Sequence, residues 1–414
     1  MPAGSPGALR EQQETQPSGA SIAYGYDVLG RVSSRTVSGA GAETFTYDAI
    51  GRLVGHSSDL GVFTLGYLGE TAQLTSRALA GTTLATTWSY LPNSGDRRLS
   101  GIASTGLVSS ETSSFTYTSN DLGWITSSTE SSDAPAAYPS SAQQIGVANN
   151  LNQITVRNGQ NLTYDADGHL LSDGQRTYSW DAAGRLIGVL YPGQPGQSTS
   201  FTYDGLGRRV VIADTAGGGT TTMDYVWCGL SLCQARDPDG SVAREYLAEG
   251  EYSPGSPATT AYDVRDPVGT VRRVFVSGTS APAYAYDPYG QPLQATAPVT
   301  DFTYAGMFHE ATSGLDLTLA RVYDPQAGRW LTRDPLGEGT DPYGNLYAYV
   351  GGDPINLVDP LGLIARPSVP SPNPAAPNTP NNPNPGSPQC NSNGSGAGGN
   401  PIKMQIIIIT QSNA

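Results

Sequence analysis

The sequence predicts an all-β fold in which antiparallel hairpins stack into one long, curved sheet. The first observation is composition: the 414 residues include 51 Gly and 23 Tyr, and only 14% are charged. Abundant Thr, Ser, Tyr, Val and Gly favour strands and turns over helices. The second observation is a short motif that recurs along most of the chain.

Each copy of the motif joins a short alternating run to an Asp-x-x-Gly turn signal. The clearest copies are "YGYDVLGRVSSRT" from residue 24, "FTYDAIGRLVGHS" from 45, "LTYDADGHLLSDG" from 162, "YSWDAAGRLIGVL" from 178, "FTYDGLGRRVVIA" from 201 and "YAYDPYGQPLQAT" from 284. Repetition at this scale indicates stacked supersecondary units, because one such unit cannot bury its apolar face alone.

The copy at residue 45 shows why the motif predicts a hairpin. Phe45 and Tyr47 point to one face of a strand. Asp48 can accept backbone N–H groups in the turn, Gly51 supplies a positive φ, and Leu53 returns to the buried face. A residue needed once for catalysis would not recur at structural spacing, so we expect the repeat Asp and Arg residues to be structural.

Bulk properties exclude several functions. The net charge of −14 and the pI of about 4.5 argue against a nucleic-acid partner. No run of eighteen apolar residues predicts a membrane span, and residues 1–22 show no Sec signal peptide. Of the three cysteines, Cys228 and Cys233 are predicted to be plain buried thiols, with a disulfide as the alternative, and Cys390 stands apart. No metal or cofactor is expected.

The recurring "YDxxGRL" pattern resembles the YD or RHS (rearrangement hotspot) repeat, and the resemblance covers about residues 24 to 363. That family includes the C components of insecticidal Tc toxins, bacterial polymorphic toxins and the teneurins. The resemblance implies a hollow β shell, a partial cocoon, which in the bacterial members encloses a C-terminal toxin. It divides the chain into a disordered segment (1–22), the repeat shell (23–300), a closing domain (301–363) and a disordered tail (364–414).

The closing domain has its own signature. "GLDLTLARVYDPQAGRWLTRDPLG", ending at residue 337, and "NLYAYVGGDPINLVDPLGL", residues 345 to 363, resemble the RHS-repeat-associated core domain. The resemblance implies that this domain plugs the shell and cuts the chain directly after the DPxGL segment. The cut would fall between Leu363 and Ile364.

Carboxylates are the group best placed in sequence to make that cut, because two held close can act as an acid and a base. By resemblance, Asp334 and Asp359 are the catalytic pair and Arg333 holds a carboxylate or stabilises negative charge. Pro360 and Gly362 belong to the supporting motif, Gly362 by giving the backbone room to bend.

Asp-Pro units also form turns, and this is the expected role of the remaining acids of the domain. Asp353 is the reserve candidate for the pair, whereas Asp324 and Asp341 are expected only to make turns. At most, the chain is a single-turnover intramolecular aspartyl autoprotease.

The composition changes abruptly after residue 363. Residues 364 to 400 are rich in Pro, Asn, Ser and Gly, and are predicted to be a disordered linker. The following "QIIIIT" is too short for a toxin domain. It predicts either a strand that adds to a sheet edge or an aggregation-prone remnant.

Three functions are compatible with the sequence. The first is the shell of a secreted RHS effector in bacterial competition, which encapsulates its own C-terminal segment or toxin and releases it by one cut. Its partners would be that segment and a secretion-system or second shell component, with specialised export from the cytoplasm to the outside or the cell surface. The second is a teneurin-like adhesion or glycan-binding protein. The third is a recombined cassette fragment without function.

Overall fold

A computed structural model describes residues 10–131, 146–279, 282–294, 296–337 and 344–368. The described chain is almost entirely β, with three short 3₁₀ turns at Asn93–Gly95, Tyr304–Gly306 and Val350–Gly352. The predicted all-β fold of antiparallel hairpins is therefore confirmed. No helix in these ranges is long and apolar enough to cross a membrane.

The first long sheet begins within the segment predicted to be disordered. Eleven described strands follow one another in chain order, each antiparallel to the next. They are β1 (Gln13–Thr15), β2 (Ser21–Tyr26), β3 (Val32–Val37), β4 (Ala42–Tyr47), β5 (Leu53–Ser58), β6 (Gly61–Tyr67), β7 (Leu74–Leu79), β8 (Ala85–Tyr90), β9 (Leu99–Thr105), β10 (Thr112–Ser119) and β11 (Ile125–Glu130). The ordered structure thus starts before the predicted boundary at residue 23.

A second long sheet follows, so the hairpins of the described residues form two separate long sheets. A two-stranded ribbon, β12 (Val156–Arg157) and β13 (Gln160–Asn161), precedes twelve strands that again pair in chain order. These are β14 (Thr163–Tyr164), β15 (Leu170–Ser172), β16 (Thr177–Trp180), β17 (Leu186–Leu190), β18 (Ser198–Tyr203), β19 (Arg209–Ala216), β20 (Gly219–Cys228), β21 (Ser231–Arg236), β22 (Val242–Leu247), β23 (Gly250–Ser253), β24 (Thr259–Arg265) and β25 (Val271–Val276).

The repeated turns have the predicted geometry. Asp48 Oδ1 accepts the N–H of Ile50 and of Arg52 at 3.1 and 2.8 Å, and Gly51 has φ +91°. The Arg52 Nε also donates to Asp48 Oδ2 across 2.7 Å. Leu53 is 2% exposed. The repeat Asp and Arg residues therefore hold the hairpin turns, as the sequence analysis expected.

A second function of the motif links one hairpin to the next. The hydroxyl of Tyr47 donates to the carbonyl of Val32 at 2.7 Å, and the Arg31 guanidinium lies over the Tyr47 ring at 4.5 Å. Tyr67 repeats the arrangement with Leu53 and Arg52. The Tyr-Asp pair therefore closes its own turn and fastens its strand to the preceding hairpin.

The two long sheets pack against each other. The Tyr262 hydroxyl of β24 donates to the Leu60 carbonyl at 3.0 Å, and apolar residues of both sheets share two core clusters. The disulfide between Cys228 and Cys233 closes the β20–β21 hairpin at this contact, with 5.8 Å between the Cα atoms. The expectation of plain thiols was wrong for this pair, while Cys390 lies outside the described residues.

The C-terminal region adds a small third wall. Its four-stranded sheet packs on the second long sheet, and a short pair of strands follows at the end of the described chain. The strands are β26 (Phe308–Glu310), β27 (Leu315–Leu317), β28 (Val322–Asp324), β29 (Arg329–Trp330), β30 (Leu357–Val358) and β31 (Arg366–Pro367). A cavity of about 410 Å³ lies among the three sheets, and Pro360 and Leu361 line it.

Candidate active site

Arg321 lies in the tight turn between β27 and β28, and the turn orients its side chain inward. The Arg321 N–H donates to Thr318 Oγ1 at 3.1 Å, and that hydroxyl donates back to the Arg321 carbonyl at 2.8 Å. The guanidinium carbon lies 4.3 Å from the centre of the Trp330 ring. With its side chain only 4% exposed, Arg321 is fixed by packing as well as by hydrogen bonds.

The Arg321 guanidinium joins three groups that are distant in sequence. Nη1 lies 3.1 Å from Asp334 Oδ2, and Nη2 lies 2.9 Å from Asp359 Oδ2. Nε donates to the carbonyl of Gly362 at 2.6 Å. The structure therefore brings Asp334 and Asp359 to one site, directly beside the backbone that precedes the predicted cut.

The two carboxylates use their remaining oxygens to hold the local backbone. Asp359 Oδ1 accepts the N–H of Leu363 at 2.9 Å, and Asp334 Oδ1 accepts the N–H of Leu336 at 2.8 Å. Among the described hydrogen bonds, none joins one carboxylate to the other. They meet on a shared guanidinium, which differs from the directly paired acids that the sequence suggested.

The peptide unit between Gly362 and Leu363 is held at both ends. Its carbonyl accepts from Arg321 and its N–H donates to Asp359. Gly362 has φ +70°, and a Cβ at this position would lie 2.2 Å from Thr318 Oγ1. Glycine is required here by both the backbone conformation and the close approach of the β27–β28 turn.

Burial affects the charge of the site. It lowers the pKa of Arg321, while Asp334 and Asp359 act in the opposite direction. A guanidinium still carries its charge at neutral pH, and its planar fork can serve several oxygens at once. In a buried site such a cation stabilises negative charge on a neighbouring oxygen more strongly than it would in water.

The structure does not place Arg333 where the sequence suggested. Arg333 is exposed, and its carbon stem lies against Gly168, where a Cβ would be 2.6 Å from Arg333 Cδ. The position between the two acids is occupied by Arg321 instead. Arg333 is adjacent to Asp334 in sequence, whereas Arg321 stands thirteen residues earlier, in the "ARVYDP" segment.

The other acids lie elsewhere. Asp353 accepts from the backbone N–H and the side-chain amide of Asn356 at 3.2 and 3.0 Å, so it holds a turn. Asp324 caps the turn after β28 and also pairs with Arg176 at 3.0 Å. Asp341 lies outside the described residues.

The predicted scissile bond is accessible on one side. Leu363 is half-buried, and Ile364 is 61% exposed. In the described ranges, no cluster of three or more His, Cys, Asp or Glu side chains is arranged to hold a metal ion. The site consequently consists of one guanidinium, two carboxylates and a fixed backbone segment.

Comparison with known proteins agrees with the repeat pattern. The family model described as RHS Repeat matches residues 164–195. The tRNA3(Ser)-specific nuclease WapA of Bacillus spizizenii is 31% identical over 228 residues, covering 52% of this chain and 10% of the relative. Toxin protein Tse5 of Pseudomonas aeruginosa is 26% identical over 398 residues, covering 83% of this chain and 25% of the relative.

The fold is also found among solved structures. In the crystal structure of TcdB2-TccC3 without its hypervariable C-terminal region, the match has a TM-score of 0.60 and 19% identity, and covers 83% of this chain and 21% of that chain. At this identity the match establishes a shared fold. The chain therefore spans between about a tenth and a quarter of the length of these three proteins.

Proposed function

We propose that the chain is an RHS-repeat protein of the toxin and effector type, and that it forms part of a β shell that encloses its C-terminal segment and releases it by cutting the bond between Leu363 and Ile364. The observation that carries the proposal is the Arg321 site: Asp359 accepts the N–H of Leu363, and the guanidinium that pairs with both Asp359 and Asp334 also bonds the carbonyl of Gly362.

The reaction is a hydrolysis. One carboxylate takes a proton from water, whose oxygen attacks the carbonyl carbon of Leu363. Arg321 stabilises the negative charge that develops nearby. The peptide bond breaks as the protonated carboxyl group returns its proton to the nitrogen of Ile364, which regenerates the carboxylate. The products are a Leu363 carboxylic acid, which ionises, and an Ile364 amine. Because the cut separates the segment from its own shell, each chain reacts once.

Asp359 is proposed as the acid nearest the reacting carbonyl. Its Oδ1 already bonds the N–H of Leu363, and its Oδ2 bonds Arg321. Asp334 approaches the guanidinium from the opposite Nη. The held peptide unit between Gly362 and Leu363 supplies the fixed orientation that an intramolecular reaction needs.

The proposed enclosure rests on the arrangement of the sheets. The two long sheets and the small C-terminal sheet surround the cavity of about 410 Å³, and the segment just before the proposed cut points Pro360 and Leu361 into it. A space of this size holds several side chains, so enclosure of a longer segment requires further shell or a second shell component. Specialised export to the outside completes the proposal.

A second function is less well supported. A glycan-binding or adhesion surface would need exposed aromatic residues, whereas Phe45, Tyr178 and Phe201 of the repeats are buried. No observation in the described structure favours this alternative.

Intact-mass spectrometry of the purified full chain tests the proposal. We expect a fragment ending at Leu363 in the wild type, and an uncut chain in Asp359→Asn and Asp334→Asn. Asp353→Asn is the matched control and should be cut at the wild-type rate. An uncut wild type, or a cut that survives both substitutions, would refute the assigned chemistry.

A further inference from the structure

A second pocket lies away from the candidate active site. It measures about 290 Å³ and lies among the end of the first long sheet, the β24–β25 turn of the second and the C-terminal region. Aromatic and aliphatic side chains and several prolines form most of its wall. We call it the Tyr286 pocket. Its wall includes Phe115, Tyr117, Ile125, Tyr286, Pro354 and Ile355.

The described chain ends beside this pocket and is directed toward it. Strand β31 runs antiparallel to β30, with Val358 opposite Arg366 and Leu357 opposite Pro367. The next residue, Ser368, donates its N–H to the carbonyl of Asn356 at 2.7 Å. The Ser368 hydroxyl lies 3.5 Å from the carbonyl of Ile355, and Ile355 and Pro354 both line the pocket.

The pocket is anchored to the same segment. The backbone N–H of Ile125 in β11 donates to the side-chain oxygen of Asn356 at 2.7 Å. The wall of the pocket thus combines β10 and β11 with residues 354 and 355, and the β24–β25 turn and residues 286–288 complete it. The described chain ends at Ser368, next to this wall.

The sequence after Ser368 is rich in proline, a composition that binds to pockets lined by aromatic side chains. From residue 369 it reads "VPSPNPAAPNTP", with prolines at 370, 372, 374, 377 and 380. Pro-rich segments favour the polyproline II conformation, which binds in grooves lined by aromatic side chains at a low cost in conformational entropy. Phe115, Tyr117 and Tyr286 supply that type of lining.

Two lining residues also retain polar atoms without a described partner. Tyr117 Oη and Glu130 Oε1 are buried and make no hydrogen bond within the described structure. A hydroxyl suits a backbone carbonyl, and a carboxylate oxygen suits the amide of an Asn side chain. A proline- and asparagine-rich peptide offers both groups.

We propose that the Tyr286 pocket is an intrachain docking site for the first turns of the proline-rich segment, residues 369 to 374. Docking requires no cut, so it stands independently of the proposed hydrolysis. If the chain is cut after Leu363, docking retains the severed segment on the shell without a covalent bond, and release becomes a separate step.

Photo-crosslinking in the full chain tests the docking. The photoreactive residue p-benzoylphenylalanine replaces Pro372 in one sample and Pro383 in the matched control. Both samples are prepared with and without Asp359→Asn, so that the outcome is read separately from cutting. We expect the probe at 372 to label Phe115 or Tyr286 at least fivefold more than the probe at 383.

Substitutions in the proline-rich segment provide a second test, because they change no residue of the folded sheets. Pro370→Asp with Pro372→Asp should increase amide hydrogen exchange in β10 and β11, whereas Pro383→Asp with Pro385→Asp should not. Equal labelling from both probe positions, labelling confined to other surfaces, or unchanged exchange in both variants would overturn the proposal. Labelling between isotopically distinct chains would also overturn it, since a second copy would then fill the pocket.

Discussion

Arg321 donates to Asp359 across 2.9 Å, and the same guanidinium bonds the carbonyl of Gly362 at 2.6 Å. One buried side chain thus fixes a candidate catalytic acid relative to the backbone beside the proposed cut. This relationship joins the β27–β28 turn of the small C-terminal sheet to residues 359 to 363. It makes the site dependent on the folding of residues 315–337 and 344–363.

Arg321→Lys tests the geometry of the guanidinium fork. Lysine keeps the charge but cannot serve Asp334, Asp359 and Gly362 with the same planar donors. We expect the cutting rate to fall at least tenfold, measured by intact-mass time courses. Arg321→Gln should also lower the free energy of unfolding by about 3–5 kcal/mol, because it leaves two buried carboxylates unpaired.

Arg333→Gln is the matched control for both measurements. Its side chain is exposed and lies outside the site, so cutting and thermal stability should stay at wild-type values. If Arg333→Gln abolished the cut while Arg321→Lys did not, the assignment of Arg321 would be wrong.

Gly362→Ala should impair the cut by shifting the scissile segment. The new Cβ would clash with Thr318 Oγ1 and would force a positive φ on alanine. Gly314→Ala is the matched control, since Gly314 has φ +68° but a Cβ added there would meet no atom within 4 Å. Its effect on stability measures backbone strain alone.

Partial rescue identifies the clash as the cause. Thr318→Ala removes the oxygen nearest to the new Cβ, but it also removes the hydroxyl that bonds the Arg321 backbone, so the comparison is made within the Thr318→Ala background. Gly362→Ala should slow the cut less in Thr318→Ala than in the wild type. Equal slowing in both backgrounds would point to backbone strain instead, as would an equally slow Gly314→Ala.

The hydrogen bond from the Tyr47 hydroxyl to the preceding hairpin should contribute modestly to the free energy of unfolding. Tyr47→Phe removes the hydrogen bond to the Val32 carbonyl and should cost about 1 kcal/mol in urea unfolding. Tyr252→Phe is a suitable comparison, because the Tyr252 hydroxyl makes no hydrogen bond in the described part of the chain. Equal effects at both positions would show that the hydrogen bond between Tyr47 and the Val32 carbonyl does not contribute to stability.

A buried histidine makes stability depend on pH. His56 lies between Glu43 and Glu249, at 3.1 and 2.9 Å, and Glu43 also pairs with Arg35. Burial alone lowers the pKa of His56, but its hydrogen bonds to Glu249 and Glu43 outweigh burial and raise the pKa to about 9. The protonated side chain consequently links the first sheet to the β22–β23 turn of the second.

The raised pKa of His56 determines the direction in which stability changes with pH. Its contribution to stability is complete below pH 6.5 and disappears as pH rises toward about 9, with a loss of at most about 3 kcal/mol. Thermal melting from pH 6 to 9.5 should show this decline. In His56→Gln the decline should be smaller, and wild type and variant should converge at the alkaline end. Parallel curves would contradict the assignment.

Local features of the fold were predictable because the residues that form each hairpin turn lie within a single copy of the motif. Asp48, Gly51 and Leu53 act within a few residues of one another, and the structure places them as the motif indicates. The division into two long sheets was not predictable, since the repeats look alike on both sides of the break.

The site was predictable only in part, because its residues come together through the tertiary fold and not through neighbouring positions in the sequence. The acids Asp334 and Asp359 stand in recognisable motifs, and the structure brings them together. The partner arginine was misassigned because Arg333 is adjacent in sequence, whereas Arg321 reaches the acids only through the β27–β28 turn. The Cys228–Cys233 disulfide likewise depends on hairpin geometry that the spacing alone leaves open.

The most direct test of the central claim is the identity and kinetics of the cut in chain made by cell-free synthesis from purified components, where no other protease is present. We predict first-order formation of a fragment whose last residue is Leu363, at a rate that does not change with protein concentration, and no fragment from Asp359→Asn. A wild-type chain that remains intact, or one cut at another bond, would contradict the account.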